Sequence, residues 1–599
     1  VVAVSRGGGG PTMTVVAELV ASGRGAAARP AFEPGPVIPL GKAARGDADV
    51  GDLVSVSVRG RSARVVAVHG PSTSVPAALR GLLAHEQIAR PFPRRALEEI
   101  EGFSERTPLG DRGRRDMRDQ RVITIDPEGA KDHDDAIAVA PEGADATRLW
   151  VHIADVSRFV PAGGALDREA ARRGNSVYVP GHVVPMLPPR LSSDLCSLRP
   201  GVDRAALTAE LVIGPGGDVR ETRFYRSLIR SERRLTYPEV DVFLGGEPLG
   251  DPPLEAEIGR AAALAEALRR RRMARGALEA HSGEPVVRFA GDRVAAMHLE
   301  GQTPAHSLVE ECMIAANEAV ARFLISKNAH TVFRHHEDPA QSRVEGLYAQ
   351  LEELEVATPP MPEGPLGPAQ RRDAAAAAAQ AVAAHLAAGR PGGIALWSLV
   401  LRSLKQAHYS PSEPTHSGLA SAAYLHFTSP IRRYPDLLVH RGLIDVLGLG
   451  GPGPGRAELA EAADHCSETE RAASAVERKA DDICAAFWLR DLLRGRGPDT
   501  PVHGEVTGVI DAGLFVQFDE VFTGFLPSRA IEDDHYRADP LGVELRGEGT
   551  GRRIRMGDPI SAIVDRIEPL RGRIGLLPVG SAPSAGRRGR RPLGTTRRR

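Results

Sequence analysis

Four aspartates within ten residues, set between two apolar runs, constrain this chain more than any other stretch. The segment reads Val122-Ile-Thr-Ile-Asp126-Pro-Glu-Gly-Ala-Lys131-Asp132-His133-Asp134-Asp135-Ala-Ile-Ala-Val139. Val122 to Ile125 and Ala136 to Val139 read as strands, with a Pro127-Glu128-Gly129 turn after the first. Alternation along an extended chain sends Asp132 and Asp134 to one face and Asp135 to the other, while Asp126 folds over them across the turn. A like-charged pair at about 4 Å costs roughly 4 kcal/mol at an effective dielectric near 20 and roughly 1 kcal/mol in water. Lys131 alone cannot neutralise such a cluster; hard divalent cations with oxygen ligands can, and Mg²⁺ held by carboxylates and substrate phosphate is the natural fit. A calcium loop fails on spacing, because counting from Asp132 puts Ala136 and Ile137 where a ligand and a glycine are required. At this level a solvated acidic turn stays open as the alternative.

At 599 residues the chain is long enough for several domains with sizeable cores. Its net charge of −1 conceals a polarised layout, because no acid follows Glu568 and the segment 586–599 carries seven arginines. The four cysteines (Cys196, Cys312, Cys466, Cys484) are widely spaced and form no CxxC pair. They argue against a zinc site or a disulfide framework and favour a reducing compartment. No apolar run reaches membrane-spanning length and the first residues lack a signal pattern, so the expected chain is soluble, cytoplasmic and without a membrane partner.

Residues 1–30 are Gly/Ala-rich and read as disordered. Short alternating segments over 31–70 (Val37-Ile38, Asp52 to Val58, Ala63 to Val68) suggest a reduced oligonucleotide-binding or cold-shock-like barrel, with Phe32 as its one aromatic. Residues 71–120 read as a linker containing Pro91-Phe92-Pro93, a short helix near Ala96 to Ile100, and Arg112, Arg114, Arg115 and Arg118. From 121 to 498 strands (Arg148 to Ala154, Ala206 to Ile213) mix with helices (Arg260 to Arg275, Ser307 to Lys327, Pro368 to Ala388, Arg456 to Arg494). Five strand-like segments between Val502 and Leu577 then suit a five-stranded barrel over 499–580, and 581–599 reads as an arginine-rich disordered tail. Phe515, Phe518, Phe522 and Phe525 are available for base stacking, with some of them needed in the barrel core.

Three further stretches are specific: Arg173-Gly-Asn-Ser-Val-Tyr178-Val-Pro-Gly-His-Val-Val-Pro-Met-Leu-Pro-Pro189 with its continuation to Leu198, His426-Phe-Thr-Ser-Pro-Ile-Arg432-Arg433-Tyr434-Pro-Asp436, and the helix around Glu470-Arg471 and Glu477-Arg478. Together with the aspartates at offsets 0, +6, +8 and +9, they closely resemble the ribonuclease II / ribonuclease R family of 3′-to-5′ exoribonucleases, over about residues 121–580. The resemblance implies a multidomain α+β fold: an RNB catalytic domain of mixed sheets and surrounding helices, flanked by small β-barrels, the C-terminal one an S1 OB-fold.

It further implies that Asp126, Asp132, Asp134 and Asp135 hold Mg²⁺, two ions with Mn²⁺ as a substitute, and that Asp134, Asp135 and Arg432 carry the catalysis. Tyr178 would pack on the last nucleotide, and Arg432 would pair with the scissile phosphate. Arg433 is either structural or a neighbouring phosphate contact; Glu477 anchors the final base or makes helix-surface pairs; Glu311 touches a ribose hydroxyl or serves only its helix. Phe515 and Phe518 are the barrel's RNA-binding candidates. His133 departs from a position usually apolar in this family, and the N-terminal segment has room for one cold-shock barrel where the family commonly has two. The expected protein is a monomeric, processive, Mg²⁺-dependent exoribonuclease that takes single-stranded RNA with a free 3′ end, releases 5′-monophosphates, needs no nucleotide cofactor, and is ribonuclease R-like rather than ribonuclease II-like. A non-catalytic RNA-binding relative and a DNA-directed nuclease are the competing readings.

Overall fold

The structure, a computed structural model, describes residues 3–4, 12–23, 25–60, 62–88, 90–105, 113–279, 283–497, 500–531 and 534–581. Arg112 and the arginine-rich tail beyond Ser581 lie outside the described residues.

Thr12–Ser22 and Gly25–Pro30 are strands, which corrects the expectation of disorder over 1–30 for the described part of that stretch. They form the middle of an antiparallel sheet in the order Ile38–Leu40, Gly25–Pro30, Thr12–Ser22, Asp52–Arg59, Ser62–Pro71, with Ala3–Val4 beside Thr12–Ser22. The stretch expected to be a linker supplies this sheet's cover. Helix Val75–His85, capped by Ser74, buries Leu79, Leu82 and Leu83 in one core with Val16, Phe32 and Leu53. A Gly/Ala-rich composition hid the pattern, because small residues pack closely without an obvious hydrophobic alternation. Phe32 is 4% exposed and therefore packs rather than stacking on a base.

The central unit is a seven-stranded mixed sheet in the order Arg233–Thr236, Ile123–Asp126, Asp135–Glu142, Ala146–Ala154, Asp203–Ile213, Val219–Arg230, Arg115–Asp116. The two outermost pairings are parallel and the inner ones antiparallel. Ala206, Leu207, Ala209, Leu211 and Ile213 are all buried, as expected for a strand covered on both faces. Helices Pro252–Ala274, Pro304–Ser326 and Tyr434–Val446 contribute to the same core. Every residue from Tyr434 to Ile444 is buried, so that helix runs through the interior. Helix Arg456–Arg496 then joins the central unit to the C-terminal one, burying Ala473, Val476, Ile483 and Phe487.

Strands Pro501–Ile510, Gly513–Phe518, Phe522–Pro527, Arg573–Pro578 and Pro559–Glu568 close into the five-stranded barrel that the sequence suggests. The barrel is docked on the central unit. Glu505 accepts the N–H of Ala395 in the first turn of helix Gly393–Ser403 at 3.3 Å, and Arg555 pairs with Glu355 at 2.8 Å. Arg571 reaches the N-terminal sheet, donating to the backbone oxygens of Ala31 and Glu33 at 3.3 and 3.2 Å. The two terminal β units therefore touch. No helix among the described residues is long and apolar enough to cross a membrane.

Candidate functional site

Asp126 ends one strand and Asp135 begins its neighbour, with the other two acids in the connecting loop. That loop is pinned from outside. The His133 N–H donates to Ser197 Oγ at 3.0 Å, Ser197 Oγ donates to the Lys131 carbonyl at 2.8 Å, and the Leu198 N–H donates to the His133 carbonyl at 2.9 Å. From the next strand, the Ala154 N–H donates to the Asp134 carbonyl at 2.9 Å. The Leu-Ser-Ser-Asp-Leu-Cys-Ser stretch after Arg190 is thus a brace for the acids.

Burial is the first cause of the acids' perturbation. It pushes the Asp134 carboxyl well above the usual carboxylate range, with Asp132 and Asp135 adding to it and Arg432 and the Ile431 N–H opposing. Asp135 is pushed up to about 7 by burial and then by Asp126, against Arg432 and His133. Asp134 Oδ1 accepts the Ile431 N–H at 2.8 Å, but Asp134 Oδ2 and Asp126 Oδ2 are buried without a hydrogen-bond partner. His133 Nδ1 lies 2.8 Å from Asp126 Oδ2, without the alignment of a hydrogen bond. Two orphaned carboxylate oxygens in a desolvated cluster are the hard-oxygen donors a divalent cation takes. Among the described residues, however, no three His, Cys, Asp or Glu side chains converge at metal-ligand spacing. The unsatisfied oxygens of Asp126 and Asp134 stay open to such a cation. They suit Mg²⁺ bound by one or two carboxylates, with water and substrate phosphate completing the shell.

Arg432 and Tyr178 face the acids from two segments that are laced together. The Ser176 N–H donates to the Arg432 carbonyl and the Tyr434 N–H to the Gly174 carbonyl, each at 2.9 Å. Gly174 has φ +71 and sits where a Cβ would run into Thr469 of the long helix, so this junction needs glycine. The spacing of the second motif follows from Asp436, which is fully buried and receives the Ser429 N–H at 2.8 Å and Arg433 at 2.9 Å. That bond fixes Arg433, which still lines the cleft, and leaves Arg432 half-exposed, its Nε 3.6 Å from Asp134 Oδ2. Tyr178 donates its hydroxyl to Asp132 Oδ2 and its backbone N–H to Glu477 Oε1, both at 2.8 Å. Glu477 is therefore a backbone anchor for the tyrosine arm.

Asp135 and Arg432 open into a cleft of about 500 Å³ whose far wall carries Tyr237, His306, Glu310 and Asn317. Tyr237 stacks on His306 with ring centroids 3.9 Å apart. Neither Tyr237 nor Glu310 is singled out by sequence reasoning. Tyr237 reaches the site because Thr236 pairs with Asp126 across a parallel strand contact that has no local signature. Glu311, offered as a ribose contact or as a residue serving only its helix, is buried against Arg272 at 2.6 Å, which corrects the first alternative, and its neighbour Glu310 faces the cleft. Phe518 is corrected too, being 2% exposed and packed on Phe522 in the barrel core. Phe515 is 39% exposed beside Phe525 and remains available to a base.

The model for the RNB domain matches residues 114–448, and that for the S1 RNA binding domain matches 498–577. The chain is 33% identical over 521 residues to ribonuclease R of Escherichia coli, covering 84% of this chain and 62% of that protein. It is 36% identical over 530 residues to ribonuclease R of Thermotoga maritima, covering 86% of this chain and 72% of that one. The chain thus spans less than two thirds of the Escherichia coli relative's length. Mycoplasma genitalium RNase R, solved in complex with ribose-methylated single-stranded RNA, shares the fold with a TM-score of 0.81 at 23% identity, covering 95% of this chain and 89% of that one. With braced acids, an inward Arg432 and both domain models in their expected places, this chain belongs to the ribonuclease II / ribonuclease R family, an RNB domain followed by an S1 domain.

Proposed function

We propose that the chain is a metal-dependent 3′-to-5′ exoribonuclease that threads single-stranded RNA into the cleft and releases 5′-nucleoside monophosphates. The observation that carries this reading is the pair of buried carboxylate oxygens of Asp126 and Asp134 that accept no hydrogen bond, the latter 3.6 Å from the half-exposed guanidinium of Arg432. Mg²⁺ held by the aspartates, as two ions and with Mn²⁺ as substitute, supplies an activated water and charge neutralisation at the scissile phosphate. Arg432 orients that phosphate through a planar, permanently charged fork. Tyr178, fixed at both its hydroxyl and its N–H, packs on the terminal nucleotide and sets where the 3′ end stops. Glu310 and Tyr237, which line the cleft, would read a ribose hydroxyl and so distinguish RNA from DNA. Phe515 offers the S1 barrel's sequence-tolerant stacking surface.

Identity to ribonuclease R proteins favours a ribonuclease R-like enzyme, and we take it to act as a cytoplasmic monomer in RNA decay. The test is incubation of purified chain with a 3′-extended RNA, with and without EDTA, beside a matched DNA oligomer. Loss of RNA to mononucleotides only in the absence of EDTA, with DNA spared, supports the proposal. Asp134→Asn should abolish turnover while RNA binding persists, and shortening at wild-type rate by that variant refutes the site assignment. A duplex with a 3′ overhang then separates ribonuclease R-like digestion from ribonuclease II-like stalling.

A further inference from the structure

We propose that a second cavity, on the neighbouring face of helix Pro304–Ser326, is a binding site for a mononucleotide, independent of the nuclease reaction. The cavity holds about 420 Å³. That lies within the range of about 300–1,000 Å³ usual for small-molecule sites. Helix Pro304–Ser326 separates it from the acids: Glu310 faces the cleft, Glu311 faces this cavity, and Ile314 lines both.

Its charge is specific. Arg275 and Arg322 share one carboxylate, Glu318, at 3.0 and 3.1 Å. Arg271, exposed on the same rim, meets no acidic side chain among the described residues. Arg272 and Glu311, deeper in the wall, neutralise each other, and Arg220 on the opposite lip is tied to Asp145 and Asp218. With Asp145 and Asp218 both counted against Arg220, the arginines exceed the acids by one positive charge, and Arg271 is the guanidinium left to meet a phosphate monoester. Guanidinium forks suit such an oxyanion.

The remaining lining suits a nucleoside. Leu268, Ala319 and the partly buried Phe323 ring make an apolar wall, and the exposed Thr222 and Ser326 offer hydroxyls. The cavity is also closely built. Gly217, with φ +74, seats the turn between Asp203–Ile213 and Val219–Arg230 against helix Pro252–Ala274, and a Cβ there would lie 2.7 Å from the Ala267 carbonyl oxygen. Arginines in a helix's last turn complement its dipole, which accounts for Arg271 and Arg272. It does not account for Arg322, which comes from another helix to the same rim.

The test is calorimetric titration of AMP into the full chain in EDTA, with adenosine and inorganic phosphate titrated separately. The expected result is one AMP site, weakened about tenfold or more by Arg271→Ser with Arg322→Ser, and unchanged by Arg432→Ser in the cleft. Both rim arginines are exposed, so thermal melting should confirm that the double variant folds. Undiminished binding by the double variant overturns the proposal. So does loss of binding in Arg432→Ser, which would place AMP in the cleft, or phosphate or adenosine binding as tightly as AMP. Failure of the nuclease assay leaves this titration unaffected, so the two readings fail separately.

Discussion

Tyr178 donates its hydroxyl to Asp132 Oδ2 at 2.8 Å, so the ring proposed to stop the RNA end is tethered to one of the acids proposed to hold metal. Removing the ring and removing the tether should therefore have separable effects. Tyr178→Ala is expected to leave end products longer than those of the native chain on a denaturing gel. Tyr178→Phe keeps the ring, so product length should hold while turnover falls about ten- to hundredfold, the equivalent of one hydrogen bond to a charged acceptor. Identical product lengths for all three proteins would remove Tyr178 from the clamp.

His133 packs its imidazole 2.8 Å from Asp126 Oδ2, on a backbone bonded to Ser197 and Leu198. An imidazole fixed there limits the rotation of the Asp126 carboxylate. His133→Leu should weaken Mn²⁺ binding, read by electron paramagnetic resonance, by about 10- to 100-fold, the usual effect of losing an outer partner of a metal ligand. His133→Gln, which retains a polar donor, should recover part of that loss. Equal Mn²⁺ affinity in the native and Leu proteins would leave His133 a packing residue.

The raised pKa of Asp135 has a defined sign in stability. Its carboxyl titrates near 7 in the folded chain and near about 3.9 when unfolded. Between those values the folded state binds the additional proton, so without metal, stability falls as pH rises from about 4 to about 7 and then levels. Asp481 and Glu257, also pushed up to about 7 by burial, act in the same direction. Asp135→Asn should therefore reduce the loss of stability between pH 5 and pH 8, measured by urea unfolding in EDTA, without abolishing it. Equal losses in mutant and native protein would contradict the burial assigned to Asp135.

Glu311 pairs with buried Arg272 at 2.6 Å. Glu311→Ala leaves that buried guanidinium only the more distant Glu279 at 4.0 Å, at a cost of up to about 3–5 kcal/mol in unfolding free energy. Preference for RNA over DNA should be unaffected, whereas Glu310→Ala should relax that preference with little loss of stability. The reverse pattern would restore Glu311 as the sugar contact.

Residue spacing located the acidic turn and the five strands of the closed barrel, which are local consequences of turns and alternation, whereas Arg432 and Tyr178 were legible through the resemblance of their motifs to a known family. Of the N-terminal sheet, the strands over 38–71 were legible from their alternation, whereas Thr12–Ser22 and Gly25–Pro30 were hidden because they lie in a Gly/Ala-rich stretch that resembles low complexity until neighbouring strands bury it. Which of Glu310 and Glu311 enters the cleft depends on the rotation of helix Pro304–Ser326, set by its packing on helix Pro252–Ala274. Whether Phe515 or Phe518 faces solvent depends on the barrel's register, and one residue of slip would exchange their faces with their neighbours'. Tyr237 and the arginine-rimmed cavity had no sequence signature at all, since their partners come from segments far apart in the chain. Local chemistry is written in residue order; the face each side chain presents is decided only when distant elements pack.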